Sequence, residues 1–104
     1  MTIKISKDFT DTPGARYRNE SDYSGEEFRE SILEPKFTEA EKNGEKLIVD
    51  LDGGYGYPTS FLEEAFGGLA RKLGSERVLK VIELISNDEP PLIEEIKGYI
   101  AATK

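Results

Sequence analysis

The stretch KLIVDLDGGYGYPTSFLEEAFGGLARKL, residues 46–73, decides the fold of this chain. It begins with an apolar run, crosses a turn rich in glycine and tyrosine, and then repeats apolar residues at i, i+4 and i+8, as one face of a buried helix does. An unbroken apolar run such as Leu47-Ile48-Val49 is typical of a central parallel strand covered by helices. The sequence therefore predicts a strand–loop–helix unit whose helix begins at Ser60, with Ser60 and Glu63 as its capping box.

The segments before and after this unit continue the alternation of strands and helices. Polar and apolar residues alternate over residues 2–6, which predicts a first strand. Residues 15–18 are interpreted as a second strand that pairs with the first one. The last strand is predicted over residues 81–86, and a last helix begins at Pro90-Pro91, because the first turn of a helix tolerates proline.

A further helix is predicted to begin at Ser24, since Ser24 and Glu27 form an S-x-x-E capping box. Pro35 is expected to kink or break this helix, because its ring clashes with the preceding turn and it donates no hydrogen bond. Together the elements predict an α/β fold with a single domain over residues 1–104. We expect a small mixed, mostly parallel sheet of about four strands with three helices, in the order β-β-α-β-α-β-α.

Composition limits the classes of function. The formal charge of −7 and the pI of about 4.7 argue against binding to nucleic acid or to an anionic membrane surface, because both need a basic face. No run approaches the ~20 apolar residues of a membrane span, and no signal peptide is recognisable, so we expect a cytoplasmic protein. The chain contains no cysteine and no histidine, which removes the usual nucleophile–base pairs and the commonest transition-metal ligands. We therefore expect no enzymatic activity, no cofactor and no metal site.

Two hydroxyl groups stand at the predicted start of the central helix. A phosphoryl group on Ser60 or Thr59 would meet free backbone N–H groups and the positive end of the helix dipole. The simpler interpretation is that Ser60 only caps the helix, and the charges of Glu63 and Glu64 would repel a phosphate. Ser60 and Thr59 are therefore candidate phosphoacceptors, with capping as the alternative.

The turn offers candidate binding residues. Asp50 and Asp52 are a carboxylate pair that suits metal binding or acid–base chemistry, or else a solvated strand end. The turn lacks the lysine and the spacing of a nucleotide-binding loop, but its glycines allow close backbone approach. Tyrosines are favoured at protein interfaces. The candidates for contact with a partner or ligand are Asp52, Gly53, Gly54, Tyr55 and Tyr57.

Arg16 and Arg18 are two cations in an acidic chain, close to the turn signal at Gly14. They suit contact with an anionic ligand or with the carboxylates of a partner. The alternative is an internal salt bridge to some of the many acidic side chains of the chain itself.

Three segments of this sequence resemble the STAS-like family of unknown function, a group of small bacterial domains: SGEEFRESILEP (residues 24–35), LIVDLDGGYGYPTSFLEEAFGGL (47–69) and VIELISND (81–88). That family is similar in outline to STAS domains, which include the anti-sigma-factor antagonists. In the antagonists, a serine that begins the helix after the central strand is phosphorylated by a partner kinase. The matching positions here are Thr59 and Ser60, where the sequence reads YPTSFL in place of the DSSGL typical of antagonists.

The resemblance implies a regulatory module that binds a protein partner, such as a kinase-type ATPase or a transcription regulator, and that phosphorylation at Ser60 or Thr59 switches. A first alternative is a sensor that holds a nucleotide or another anion between Arg16, Arg18 and the glycine-rich turn. A second and more remote alternative is a hydrolase that uses Asp50 and Asp52.

Overall fold

The computed structural model describes residues 1–102 of the chain. Over these residues the sheet has three strands, all parallel and adjacent in the order β1-β2-β3. The strands are β1 (Thr2–Lys4), β2 (Leu47–Asp50) and β3 (Ile82–Ile85).

Five helices accompany the sheet over the same residues. Two of them are long, and each contains a central π-helical segment that continues without a break into α-helix on both sides. The helices are α1 (Ile5–Asp8), α2 (Gly25–Phe28, Arg29–Leu33 in π conformation, and Glu34–Lys42), α3 (Thr59–Leu62, Glu63–Gly67 in π conformation, and Gly68–Leu73), α4 (Ser75–Val81) and α5 (Pro91–Ala101).

The two faces of the sheet differ in burial, as the alternation of side chains along each strand dictates. One face belongs to the hydrophobic core: Ile3 and Val49 are neighbours in the register and fully buried, and Leu84 packs partly buried beside them. On the other face, one row of side chains runs from Thr2 through β2 to Glu83. Thr2 and Glu83 are both exposed. The helices therefore cover one face of a parallel sheet.

Phe28 lies at the centre of the aromatic part of the core. Its ring stacks on Phe61 of α3 at 5.8 Å between centroids and also contacts Phe9 and Phe66, at 5.3 and 6.4 Å. The backbones of α2 and α3 approach closely at this point, because a Cβ atom on Gly25 would lie 2.5 Å from the carbonyl oxygen of Phe61. Glycine is therefore required where the two long helices cross.

The predicted start of α2 is confirmed. Of the two outcomes predicted at Pro35, the break is wrong and the kink stays a prediction. The Ser24 hydroxyl accepts a hydrogen bond from the Glu27 N–H at 3.0 Å, as the capping box predicts. Pro35 follows directly on the π-helical segment and occupies the first turn of the Glu34–Lys42 segment. A π turn changes the hydrogen-bonding register by one residue, and the helix continues through the proline.

The predicted α/β class is confirmed, but the strand and helix counts are wrong. Residues 15–18 do not form a strand, so the sheet has three strands and is parallel throughout, not mixed. The carbonyl groups of Ala15 and Arg16 instead accept hydrogen bonds from the N–H groups of Gly25 and Glu26, each at 2.9 Å. This segment satisfies the free donors at the start of α2, as a helix N-terminus requires. The additional helices are the short α1 and α4, and the strand predicted over residues 81–86 is β3.

Candidate functional site

The three strands end at the same edge of the sheet because they are all parallel, and this edge carries most of the predicted site residues. Lys4 at the end of β1 reaches across to β2, where its ammonium group lies 3.3 Å from the Asp50 carboxylate. The same ammonium group donates to the backbone carbonyl of Asp52 at 3.3 Å, and the Ser6 hydroxyl donates to that carbonyl at 3.1 Å. Side chains of β1 and α1 therefore hold the chain where it leaves β2.

Asp52 connects the ends of β2 and β3. Its carboxylate accepts hydrogen bonds from the N–H groups of Asn87 and Asp88, at 2.8 and 2.9 Å, and from the Asn87 side-chain amide at 3.0 Å. These donors, with the Asp88 N–H first, hold the pKa of Asp52 below its usual value, and the charge of Lys4 adds to the effect. Asp52 is therefore an ionised structural anchor, and its oxygens are already occupied.

Asp50 and Asp52 interact with each other through the backbone. The Asp50 carboxylate accepts a hydrogen bond from the Asp52 N–H at 2.9 Å while its other oxygen faces Lys4. Over residues 1–102, no group of three or more acidic side chains is arranged to hold a metal ion.

The loop of residues 53–60, called the 53–60 loop below, is held at several points. The Gly53 N–H donates to the Asp88 carboxylate at 3.0 Å, and the Tyr55 N–H donates to the carbonyl of Asp11 at 2.9 Å. The Tyr57 hydroxyl donates to the carbonyl of Leu51 at 2.9 Å. Burial raises the pKa of Tyr57, and the nearby carboxylates add to this shift, so its hydroxyl stays protonated.

Glycine is required at Gly53 for two reasons. Its φ of +91° lies in the left-handed region, and a Cβ atom there would lie 2.9 Å from the Ser6 hydroxyl. Gly54 also lies close to its neighbours, because its Cβ position would be 3.4 Å from the carbonyl of Asp11. The glycines therefore let the loop fold down on the edge of the sheet.

Tyr55 is the exception in this anchored loop. Its backbone is fixed by Asp11, yet 85% of the residue is exposed, the largest exposed fraction among the large hydrophobic residues that the structure describes. Tyr57, in contrast, lies partly buried with its ring 6.0 Å from that of Phe61. The loop thus presents one aromatic side chain to solvent from a fixed backbone.

Helix α3 begins one residue earlier than predicted, and its cap is Pro58. Ser60 is the second residue of the helix, and no side chain caps this helix, so the Ser60–Glu63 capping box is wrong. The N–H groups of Phe61 and Leu62 both donate to the carbonyl of Pro58, at 3.1 and 3.2 Å. The N–H groups of Thr59 and Ser60 therefore lie at the open end of the helix.

Thr59 contacts the last helix, a connection that sequence reasoning missed. Its side chain lies near the Tyr99 hydroxyl, which donates to the Glu95 carboxylate at 2.7 Å. Partial burial and the bond to Glu95 raise the pKa of Tyr99. Thr59 is exposed and Ser60 is half-buried, so the two candidate phosphoacceptors differ in accessibility.

Arg16 and Arg18 both pair with carboxylates of the chain itself. Arg16 forms ion pairs with Glu63 and Glu64 of α3. The bond to Glu63 is the main reason that the pKa of Arg16 is raised. Arg18 pairs with Glu30 of α2 at 3.1 Å. The internal salt bridges that we considered as an alternative are therefore present, and the two arginines contact α2 and α3.

Glu63 and Glu64 belong to a cluster that sequence reasoning did not find. Glu64 is almost fully buried and accepts a hydrogen bond from Arg29 at 2.8 Å, while Arg71 pairs with Glu63. These residues lie on or next to the two π-helical segments, which contact each other. The glycine pair in mid-helix was the available signal, because a Cβ atom on Gly68 would lie 2.8 Å from the Nε atom of Arg29.

Comparison with known proteins identifies one family. Residues 24–91 match the family model of the STAS-like domain of unknown function (DUF4325), and the match covers 68 of the 104 residues. It extends from the cap of α2 to the first residue of α5, so it includes both long helices and the 53–60 loop. No curated protein and no solved structure matches the chain. None of the helices within residues 1–102 is long and apolar enough to cross a membrane.

Proposed function

Because the chain belongs to the family of STAS-like domains of unknown function, we propose that it acts as a non-enzymatic regulatory module that binds a protein partner through the 53–60 loop. The single observation that carries this proposal is the 85% exposure of Tyr55 on a loop whose backbone is hydrogen-bonded at Gly53 and at Tyr55 itself. A rigid loop loses little conformational freedom on binding, which favours affinity. Exposed tyrosines are frequent anchors of interfaces.

The chemistry of the surrounding edge supports binding over catalysis. The Asp52 carboxylate accepts three hydrogen bonds from the next strand end, and the Asp50 carboxylate faces Lys4. A general base must come within reach of a substrate proton, and both oxygens of each carboxylate are instead hydrogen-bonded to groups of the chain itself. The paired state of Arg16 and Arg18 likewise gives no support to the anion-sensor alternative, which stays a prediction.

We place the regulatory step at Thr59, next to the binding loop. Thr59 is exposed at the open end of α3, so a partner kinase of the ATPase type reaches it more easily than the half-buried Ser60. A phosphoryl dianion on Thr59 would lie near the Tyr99 hydroxyl and the Glu95 carboxylate to which that hydroxyl donates. Repulsion from Glu95 would then separate the start of α3 from α5 and alter the adjoining loop.

The binding surface is tested by capture experiments with Tyr55→Ala. The matched control is Tyr17→Ala, which removes another exposed tyrosine, 45% exposed, that lies outside the loop. We expect affinity capture followed by mass spectrometry to recover a partner with the wild-type chain and with Tyr17→Ala, and to lose it with Tyr55→Ala. A partner that both variants retain would contradict the proposed surface.

The regulatory step is tested separately by intact-mass analysis after incubation with ATP and a cell extract or the captured partner. We expect one phosphoryl group on the wild-type chain and on Ser60→Ala, and none on Thr59→Val, which keeps the shape of threonine without its hydroxyl. Phosphorylation that persists in Thr59→Val and disappears in Ser60→Ala would move the acceptor to Ser60. An unmodified mass in every sample would refute the switch.

A further inference from the structure

Within residues 1–102, one face of the parallel sheet has no helical layer, and the proposed binding of a partner through the 53–60 loop does not use it. Six side chains form this surface, called the open face below, and they stand in two rows across the three strands. Thr2 and Glu83 are exposed, and the other four are partly exposed. The members of the open face are Thr2, Ile48 and Glu83 in one row, and Lys4, Asp50 and Ile85 in the other.

The open face is unusual because parallel sheets are nearly always covered on both sides. Ile48 and Ile85 occupy diagonal positions on neighbouring strands, and both lie outside the cluster of core residues and of hydrophobics packed against it. Around them stand a threonine and three charged side chains. Ile48 lies on the central strand and Ile85 on the outer strand β3, so an apolar diagonal crosses a polar surface, and protein interfaces likewise combine apolar and polar side chains.

The dimensions of the open face match a single helix. Three strands spaced about 4.8 Å apart set the outer strands about 10 Å from each other, and strands of three or four residues extend about 10 to 13 Å. An α-helix with its side chains is about 10 Å wide and advances about 5.4 Å per turn. Two to three turns of one helix would therefore cover the face.

Charge indicates which helix fits. Lys4 is already paired with Asp50 at 3.3 Å, so the remaining charge of the open face is that of Glu83, which has no ion pair within the part of the chain that the structure describes. The whole chain carries a net charge of −7, so a second copy would bring a like-charged surface. A helix with lysine or arginine beside its apolar stripe complements both the isoleucines and Glu83.

We propose that the open face is the docking site for an amphipathic helix of a partner protein, in which an apolar stripe is flanked by lysine and arginine. The helix supplies the third layer of a three-layer α/β arrangement, with its apolar side chains on Ile48 and Ile85. Such helix recognition depends on apolar residues at i, i+3, i+4 and i+7, which determine how the helix is oriented. This site is separate from the 53–60 loop.

The probe for this proposal is a synthetic peptide of about four helical turns, with leucines at i, i+3, i+4 and i+7 and lysines on either side. Two control peptides accompany it. One has the same composition in an order that destroys the apolar stripe, and the other has glutamate in place of lysine. Binding is measured by fluorescence anisotropy, and its location by the shifts of backbone amide resonances. We expect the largest shifts in β1, β2 and β3, and affinities at least about tenfold weaker for both control peptides.

Variants of the protein separate this site from general attraction between opposite charges. We expect Glu83→Lys and Ile48→Thr each to weaken binding about tenfold, the latter because it removes apolar contact but keeps a β-branched strand residue. Glu39→Lys, which makes the same charge change on the exposed side of α2, should stay within about twofold of wild type. Tyr55→Ala should also bind normally, so failure here and failure of the proposed function are distinguishable.

Three results would overturn the proposal. The first is equal binding of the peptide with the scrambled stripe, and the second is a set of amide shifts concentrated outside the three strands. The third is a concentration-dependent dimer in sedimentation experiments that Ile48→Thr converts to monomer, because the open face would then be occupied by a second copy. Amide spectra of each variant, recorded without peptide, show whether it is folded.

Discussion

Replacing Glu64 with leucine tests whether the charged cluster between the two long helices stabilises the fold. Glu64 accepts a hydrogen bond from Arg29 at 2.8 Å and lies 3.5 Å from Arg16 and 3.8 Å from Arg71. Without it, Arg16 and Arg71 keep the carboxylate of Glu63, but Arg29 loses the one ion pair it forms within residues 1–102, where its Nε atom is already buried without a hydrogen-bond partner. The substitution therefore leaves a buried cation uncompensated.

The expected magnitude follows from the burial of the pair. Removing one partner of a fully buried ion pair costs about 3 to 5 kcal/mol. The side chains of Arg29 and Glu64 are 14% and 9% exposed, so we expect Glu64→Leu to lower the free energy of unfolding by about 3 kcal/mol, the lower end of that range. Arg29→Met should cost less, about 1 to 2 kcal/mol, because Glu64 keeps Arg16 and Arg71 as partners.

The double variant is the decisive sample. Arg29→Met together with Glu64→Leu replaces the pair by apolar side chains, which is often neutral, so its free energy of unfolding should lie above that of Glu64→Leu alone. Urea denaturation followed by circular dichroism measures all four members of the cycle. Glu30→Leu is the control, because its pair with Arg18 is about half exposed and should contribute less than about 1 kcal/mol. Additive losses in the double variant, or a loss below about 1 kcal/mol for Glu64→Leu, would refute the reasoning.

Three further predictions concern stability. Gly25→Ala should lower the free energy of unfolding by about 1 to 3 kcal/mol, because its Cβ atom would lie 2.5 Å from a backbone carbonyl oxygen. Gly98→Ala, whose Cβ atom would meet no neighbouring atom within 4 Å, should raise that free energy by up to about 1 kcal/mol. Equal effects of the two substitutions in urea denaturation would contradict this prediction. The folded-state pKa of Asp52 is lowered, so its contribution is complete above its unfolded pKa of about 3.9 and is lost as the pH falls through the folded value. Asp52→Asn should therefore flatten the decline of stability below about pH 4, and an unchanged acid limb would count against the anchor role. Tyr57→Phe removes the hydrogen bond to Leu51 and should cost about 1 kcal/mol, with faster amide exchange in the 53–60 loop; unchanged exchange would show that the loop is held elsewhere.

The elements with a single dominant pattern were predictable from the sequence. The run at Leu47, the capping box at Ser24 and the apolar face of α5 each determine their element locally, and all three are present. The strand predicted over residues 15–18 was wrong because the same alternation of side chains is compatible with an extended segment whose carbonyl groups bind the start of a helix. Their partner, the start of α2, is a tertiary contact that no local pattern contains.

Helix α4 was not predicted from the sequence, for a different reason. Its residues Val78 and Val81 are β-branched and also spaced as in a helix, so propensity and periodicity disagree. Packing decides the matter, because Val78 is fully buried in the core. Where two local signals disagree, the contacts of the segment in the folded protein determine its secondary structure.

The candidate site was predictable in location but not in detail. The common edge of the parallel strands brings Asp52, Gly53 and Tyr55 together, as the strand–loop–helix unit implies. The pairing of Arg16 with Glu63 could not be read from the sequence, since many carboxylates were available to it. Thr59 and Tyr99 are far apart in the chain, and the packing of α5 on α3 brings them near each other.

The parallel sheet also has a consequence for the order in which the chain folds. Each strand pairs with the strand before it in the sequence, but never as a hairpin: Thr2 lies beside Ile48, and Leu47 lies beside Ile82. Each pairing must close a loop that includes at least one complete helix. The loss of chain entropy on closing this loop therefore opposes strand pairing until the contacts between the strands have formed. During synthesis β1 emerges first and remains without a partner until β2 has left the ribosome. The N-terminal strand is therefore the first part of the sheet to be made, yet it must wait for residues near the middle of the chain before it can pair.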